Sequence, residues 1–419
     1  MTVSGRYHLD GAMGSADKPS GEPQANCRAR SGAVIIIGGN LEIYLDNNAT
    51  ARPFSQVVDA VTRAMSEGYG NPSSPHSRGA AARTLLIRSL EAIAGLAGGD
   101  AGGLVLTSGG TESNNLVFSS IAGRVSRPRV AVTAAEHPSV LNPAEAVATG
   151  RLAVLPLRAD GTVDLVSLSA ELEEGLDIVS VQWANGETGV VQPIAEVARL
   201  CRLKGVPFHS DAAQAFGRVP LALNASGVDM ATLSAHKMHG PIGVGALWTR
   251  NKRSLIPAML GGGQQGGMRS GTENIPAVAG FAAACSVRAG RFDDDVRKMK
   301  ELRDGFERAV LEGIPGAVVN GVAAERLCNT SSIRFEDVDG QALVAQLDRV
   351  GVMCSQTSAC SSGRPEPSPA LLAMGLSESE AWSAVRFSLS ANSTWDEVEV
   401  AAREVVEAVV RLRQFMVFR

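Results

Sequence analysis
The sequence predicts an α/β protein: a large domain with a mostly parallel seven-stranded sheet flanked by helices, then a smaller α+β domain at the C-terminal end. Two observations carry that prediction. Beyond Leu41, short apolar runs of strand type alternate with amphipathic stretches of helical period, the pattern of a sheet covered by helices. The chain is also long, 419 residues at 45% hydrophobic content, more than one small core needs, so a satellite domain is expected beside the main one.

The candidate strands are residues 104–107, 130–133, 152–157, 178–183, 206–209, 230–234 and 244–249, with helices such as 112–120 and 194–204 between them. A charged amphipathic helix over 293–311 opens the second region, whose candidate strands lie near 331–335 and 386–390. Residues 1–40 are rich in Gly, Ser, Ala and Pro without periodicity and read as a disordered extension or tag. The large α/β domain is expected over residues 41–285, with an N-terminal part free to join its neighbour, and the small α+β domain over 286–419.

Lysine and arginine (39) nearly balance aspartate and glutamate (43), for a formal charge of -4 and no long run of one sign. This argues against a standing nucleic-acid or membrane surface. The six cysteines, Cys27, Cys201, Cys285, Cys328, Cys354 and Cys360, show no close C-x-x-C pairing. Neither a disulfide framework nor a metal site is expected, and a reducing cytoplasm fits best. The early apolar run 33–37 is shorter than a signal h-region or a bilayer span.

Chemistry-bearing residues recur after successive candidate strands, where a site of an α/β fold is assembled. Lys237 sits in Ser234-Ala235-His236-Lys237-Met238-His239-Gly240-Pro241, a tight turn after a strand. It is either an ordinary loop lysine or an amine that holds a carbonyl cofactor. Asp211 follows an apolar run; it either caps the next helix or pairs with a pyridine nitrogen and keeps it protonated. The Gly/Ser/Thr turn Thr107 to Asn115 joins a strand to a helix. It suits a capping box or a single phosphate on free N–H groups, and matches neither a P-loop nor a dinucleotide fingerprint.

His137, in Glu136-His137, is a core histidine or a ring stacked on a planar cofactor, and Asn185, after the 178–183 run, offers an amide to a ring oxygen. Cys360 lies centrally in the small-residue stretch Ser355 to Pro365, unlike Cys201 and Cys285, which sit in apolar surroundings. Small neighbours and Gly363 suit an accessible, movable thiol nucleophile. Arg386 alternates with apolar residues on a candidate strand, so it needs an anion, either an internal carboxylate or the carboxylate of a substrate.

Together these motifs resemble the cysteine desulfurases, class V aminotransferase-like members of the fold type I pyridoxal-phosphate enzymes, in the group with a long catalytic loop. The resemblance runs from Tyr44 to beyond Arg386. It includes Tyr44-Leu45-Asp46-Asn47-Asn48-Ala49-Thr50, Gly70-Asn71-Pro72-Ser73-Ser74, and Gly261-Gly262-Gly263 leading to Met268-Arg269-Ser270-Gly271-Thr272. It implies that Lys237 carries pyridoxal 5'-phosphate, His137 stacks on its ring, Asp211 pairs with the ring nitrogen, and Asn185 and Gln214 address the ring-oxygen side. Gly110, Thr111, Ser234 and His236 would hold the phosphate, joined by Thr272 from the mate in a homodimer. Arg386, with Asn185, would bind substrate, and Cys360 would carry the persulfide.

The implied reaction removes sulfur from L-cysteine to leave L-alanine and an enzyme persulfide. That sulfur then passes to an acceptor or scaffold protein, as in iron-sulfur cluster assembly. Selenocysteine lyases share these motifs and form the alternative reading; an aminotransferase of this fold would not need Cys360. Three positions depart from the family pattern: Gly186 where a second asparagine is frequent, Ile242 for a frequent basic residue, and Gln265-Gly266-Gly267 for a usual charged pair.

Overall fold
A computed structural model describes residues 35–37, 40–356 and 366–416. The expected disordered extension over 1–40 therefore lies almost wholly outside the described residues. Strands β1 (Ile35–Ile37) and β2 (Asn40–Tyr44) open the described chain, followed by α1 (Ser55–Glu67) and α2 (Ser77–Ala97). The large sheet comprises β3 (Leu104–Thr107), β4 (Val130–Thr133), β5 (Leu152–Leu155), β6 (Ile178–Ser180), β7 (Phe208–Asp211), β8 (Met230–Ser234) and β9 (Gly245–Thr249). Its helices are α3 (Gly110–Ala122), α4 (Pro138–Ala148), α5 (Leu165–Glu173), α6 (Ile194–Lys204) and the short α7 (Leu223–Ser226).

The seven strands lie in the order β3-β9-β8-β7-β6-β4-β5, and only β9 runs against the others. Alternation along each strand sorts side chains to two faces. Leu104, Leu106, Ala131, Val179, Phe208 and Leu233 enter one core with α2, α5 and α6. Val105, Val130, Val132, Ile178 and Met230 enter another with α3 and α4. Because both faces are covered, strands such as β3 and β4 are mostly apolar and buried along their whole length, as in parallel sheets.

Several strand boundaries move from their sequence positions, two of them at the site. The run at 206–209 becomes Phe208–Asp211: Pro207 has no N–H for the ladder, so regular pairing starts after it and carries Asp211 to the strand end. The run at 178–183 is regular strand only to Ser180, although Val181 N and Trp183 N still donate to His209 O and Asp211 O before the chain turns into the loop containing Asn185.

Helix α8 (Ile275–Gly313) leaves the large sheet with Ala277, Phe281 and Ala284 in its core, then turns at Arg291, whose φ of -136° breaks the helix. Its second half places Leu302, Phe306 and Val310 in a separate core, shared with the antiparallel sheet β10 (Ala317–Val319), β11 (Thr330–Phe335), β14 (Ala384–Ser388) and β13 (Ser355–Gln356). Helix α9 (Gly340–Arg349) leads to β12 (Val352–Met353), which pairs in parallel with β2; thus Ile43 and Leu45 pack in this second core. Helices α10 (Pro369–Ala373), α11 (Glu378–Trp382) and α12 (Trp395–Met416) complete the described chain. No helix among the described residues is long and apolar enough to cross a membrane.

Candidate active site
The parallel strands β3, β4, β6, β7 and β8 end on one edge of the sheet, and the turns beyond them line a cavity of about 330 Å³. This is the crevice at the carboxyl ends where α/β sheets bind ligands. Gly110, Thr111, His137, Asn185, Asp211, Gln214, Ser234, His236, Lys237 and Arg386 all line it. Thr272 does not; it is exposed on its own chain. Cys360 lies outside the described residues.

At the foot of the cavity Asp211 accepts hydrogen bonds on both oxygens, from Asn114 Nδ2 at 2.9 Å and from Ala213 N at 2.9 Å. Asn114 is the centre of a network that the sequence motifs did not single out. Its Nδ2 also donates to Ser139 Oγ (2.9 Å), and its Oδ1 accepts from Thr232 Oγ1 (2.7 Å). Since Thr232 spends its proton there, its oxygen must accept from His209 Nε2 (3.1 Å), leaving His209 Nδ1 to accept from Ser180 Oγ (2.8 Å). His209 is thus a neutral core histidine, and burial pushes its pKa down to about 4.

The same network reaches His137, whose Nδ1 accepts from Ser139 N at 3.1 Å and sits 2.7 Å from Ser139 Oγ. Capping α4 in this way fixes the ring's direction and leaves the proton of the neutral imidazole on Nε2. Burial first, then the charge of Lys237, lowers its pKa.

Lys237 stands in the 3-10 turn His236–Met238 that follows β8. Buried Arg218 holds that turn by donating to Lys237 O (2.8 Å), and it also reaches Asn47 O (3.2 Å) and Gln214 Oε1 (2.7 Å). One guanidinium therefore ties three loops of the site together. Gln214 in turn donates to Asn48 O at 3.1 Å. A Cβ at position 186 would lie 2.6 Å from Gln214 Nε2, so glycine there is what this packing of Gln214 requires. The unusual Gln265 also has a use: its side-chain amide accepts from Leu106 N (2.6 Å) and donates to Leu106 O (3.0 Å), pairing the exposed edge of β3.

At the rim, Arg386 pairs with Asp46 through Nη2–Oδ1 at 2.6 Å and donates to Gly186 O at 3.2 Å. The internal ion pair and a place on the cavity wall coexist. Glu136 and Glu187 line the cavity too and were missed from sequence, where nothing marks a carboxyl as desolvated. Burial raises Glu136 to about 8 and Glu187 to about 7. Of the four described cysteines, Cys201, Cys285 and Cys328 are buried and Cys354 half-buried; desolvation raises the pKa of each. Among the described residues, no group of three His, Cys, Asp or Glu is placed to hold a metal.

The family model for aminotransferase class-V matches residues 43–400. The chain is 37% identical over 380 residues to a cysteine desulfurase from Trichormus azollae, covering 90% of this chain and 95% of that one. It is 39% identical over 384 residues to a cysteine desulfurase from Cereibacter sphaeroides, covering 90% and 98%. Among solved structures, a NifS-like protein from Rickettsia africae superposes with a TM-score of 0.79 at 32% identity, over 89% of this chain and 99% of that one.

Enzymes of this family use pyridoxal 5'-phosphate, and the cavity fits it. Ser234 Oγ is buried with no partner among the described residues, close to the start of α3, whose first-turn N–H groups have no intrahelical acceptor. Asp211 offers an anion for the ring nitrogen, and Lys237 an amine for the aldehyde. The sheet order, the site at its carboxyl edge and the shared sequence place the chain in the aminotransferase class-V family, among the cysteine desulfurases.

Proposed function
We propose that this chain takes sulfur from L-cysteine, releasing L-alanine and holding the sulfur as a persulfide on Cys360. The observation that carries this reading is the convergence of Lys237, Asp211, His137 and Arg386 on one cavity, in a chain 37–39% identical to cysteine desulfurases over nine-tenths of its length. Bound pyridoxal phosphate supplies an electron sink for bond breaking at the amino acid's α-carbon. Lys237 Nζ would hold the cofactor and would move the α-proton of the bound amino acid. The Asp211 carboxylate, oriented by Asn114 and Ala213, favours the protonated ring nitrogen. Arg386 Nε, buried and without a partner among the described residues, is the donor for the α-carboxylate.

Cys360 thiolate attacks the substrate sulfur, forming an S–S bond as the Cβ–S bond breaks. The electron pair of the broken bond stays with carbon, which takes up a proton to become the alanine methyl, while the transferred sulfur is oxidised to the persulfide level. None of the four described cysteines suits this step, because burial holds each as a thiol.

A homodimer fits Thr272, which is exposed and outside its own chain's cavity, on a stretch that also exposes Met259 and Leu260. A sulfur-acceptor protein, entry of the sulfur into iron-sulfur clusters, and a cytoplasmic location complete the proposal. The test is to incubate the protein with L-cysteine and a thiol reductant and assay alanine and sulfide. Equal, catalytic release of both is expected, and alanine without sulfide would overturn the assignment. Running L-selenocysteine alongside ranks the lyase alternative.

A further inference from the structure
Three buried side-chain atoms without a partner among the described residues belong to residues on the cavity wall: Ser234 Oγ, Arg386 Nε and Glu136 Oε2. The first two suit the phosphate and the substrate carboxylate. Glu136 has no such assignment. The residue is 5% exposed. Its Oε1 accepts from Thr133 Oγ1 at 2.7 Å and from Gln182 N at 2.8 Å. An oxygen that already accepts two hydrogen bonds is a poor place for the carboxyl proton, so in the neutral acid that proton belongs on Oε2. The charged and titratable groups sharing the cavity are Asp211, Lys237, His137, His236, Glu187 and Arg386.

We propose that Glu136 is a positioning residue that serves the site as a neutral carboxylic acid, donating from Oε2 into the ligand space and leaving Asp211 the sole anion at its corner. This rests on the reading of the cavity as the cofactor site. Two carboxylates sharing a desolvated corner cannot both stay ionised cheaply. Asp211 is the one whose two oxygens both meet donors, while half of Glu136 meets none. Burial, helped by the charge of Asp211, raises Glu136 to about 8, so the acid form prevails at neutral pH and is lost in mild alkali. Ionisation would then remove a donor and add a second anion at once.

The test uses the full-length holoenzyme and two variants, Glu136→Gln, a neutral donor at every pH, and Glu136→Met, neutral without a donor. Cofactor retained after dialysis is read from its visible absorbance at about pH 6.5 and about pH 9, on either side of the raised carboxyl. The ratio of Glu136→Gln to wild type should climb by roughly threefold or more between those two values, and Glu136→Met should retain less cofactor than Glu136→Gln at both, as loss of one hydrogen bond requires. A flat or falling ratio, or Glu136→Met equal to Glu136→Gln, overturns the proposal. Should Glu136→Gln not fold, the Glu136→Met ratio to wild type must still climb with pH. Failure of the cofactor reading itself looks different: wild type would then show no visible band at either pH.

Discussion
Arg386 Nη2 lies 2.6 Å from Asp46 Oδ1, joining strand β14 to the turn after β2 at the rim of the cavity. Asp46 also forms a β-bridge with Ser388. The carboxylate thus steers the guanidinium from one side, while its buried Nε has no partner among the described residues. Arg386→Ala should raise the KM for L-cysteine roughly a hundredfold, the worth of a charge-assisted carboxylate contact. Asp46→Asn should raise it less, since the arginine remains and only its orientation loosens. Steady-state kinetics with an unchanged KM in Arg386→Ala would remove the arginine from substrate binding.

The visible absorbance of the bound cofactor should disappear or shift in Lys237→Ala, because this lysine alone occupies the turn after β8 on the cavity wall. Asp211→Ala should retain part of the cofactor yet lose on the order of a hundredfold or more in kcat, as the ring nitrogen loses its anion. Near-normal turnover in Asp211→Ala would contradict the pairing.

Cys360 should carry the transferred sulfur. After incubation with L-cysteine, peptide mass spectrometry should place a gain of about 32 Da, one sulfur atom, on the Cys360 peptide. Cys360→Ser should still show the spectral change of substrate binding while alanine formation stops. Label on Cys354, whose thiol burial holds well above its usual range, would refute this role.

Acid should weaken the fold before the carboxylates titrate. Burial lowers His209 from its ordinary 6.5 to about 4, so the unfolded chain takes up the proton first as pH falls. The contribution is complete above about pH 6.5 and is lost as pH drops toward 4, up to about 3 kcal/mol. His236 and His239 are shifted in the same direction by burial. Urea midpoints measured across that window should decline more steeply in wild type than in His209→Gln; identical slopes would rule out His209 as a cause.

The candidate site was legible in the sequence wherever a residue's type and its place after an apolar run already imply chemistry, as with Lys237, Asp211 and the Gly110-Thr111 turn. Helix α6 and strands β3, β4 and β8 stand where periodicity put them, since their apolar runs are bounded by polar or glycine-rich turns. Strand β7 shifted because Pro207 has no N–H to donate to the ladder. Helix α8 ran far beyond its charged segment because its first half is apolar all round, a pattern that reads as core with no period.

By itself the sequence determined the family, the α/β class and the cofactor, through the resemblance its motifs carry, and it named the candidate residues that the fold gathers on one cavity. Only the tertiary structure decided which residues support them. Asn114 bonds to Asp211 across 97 positions and to Ser139 across 25, and Arg218 reaches Asn47 across 171. The same holds for the carboxyls: Glu136 at about 8 differs from an ordinary glutamate chiefly through burial. Burial is a property of the packed sheet and its turns, and no single stretch of chain specifies it.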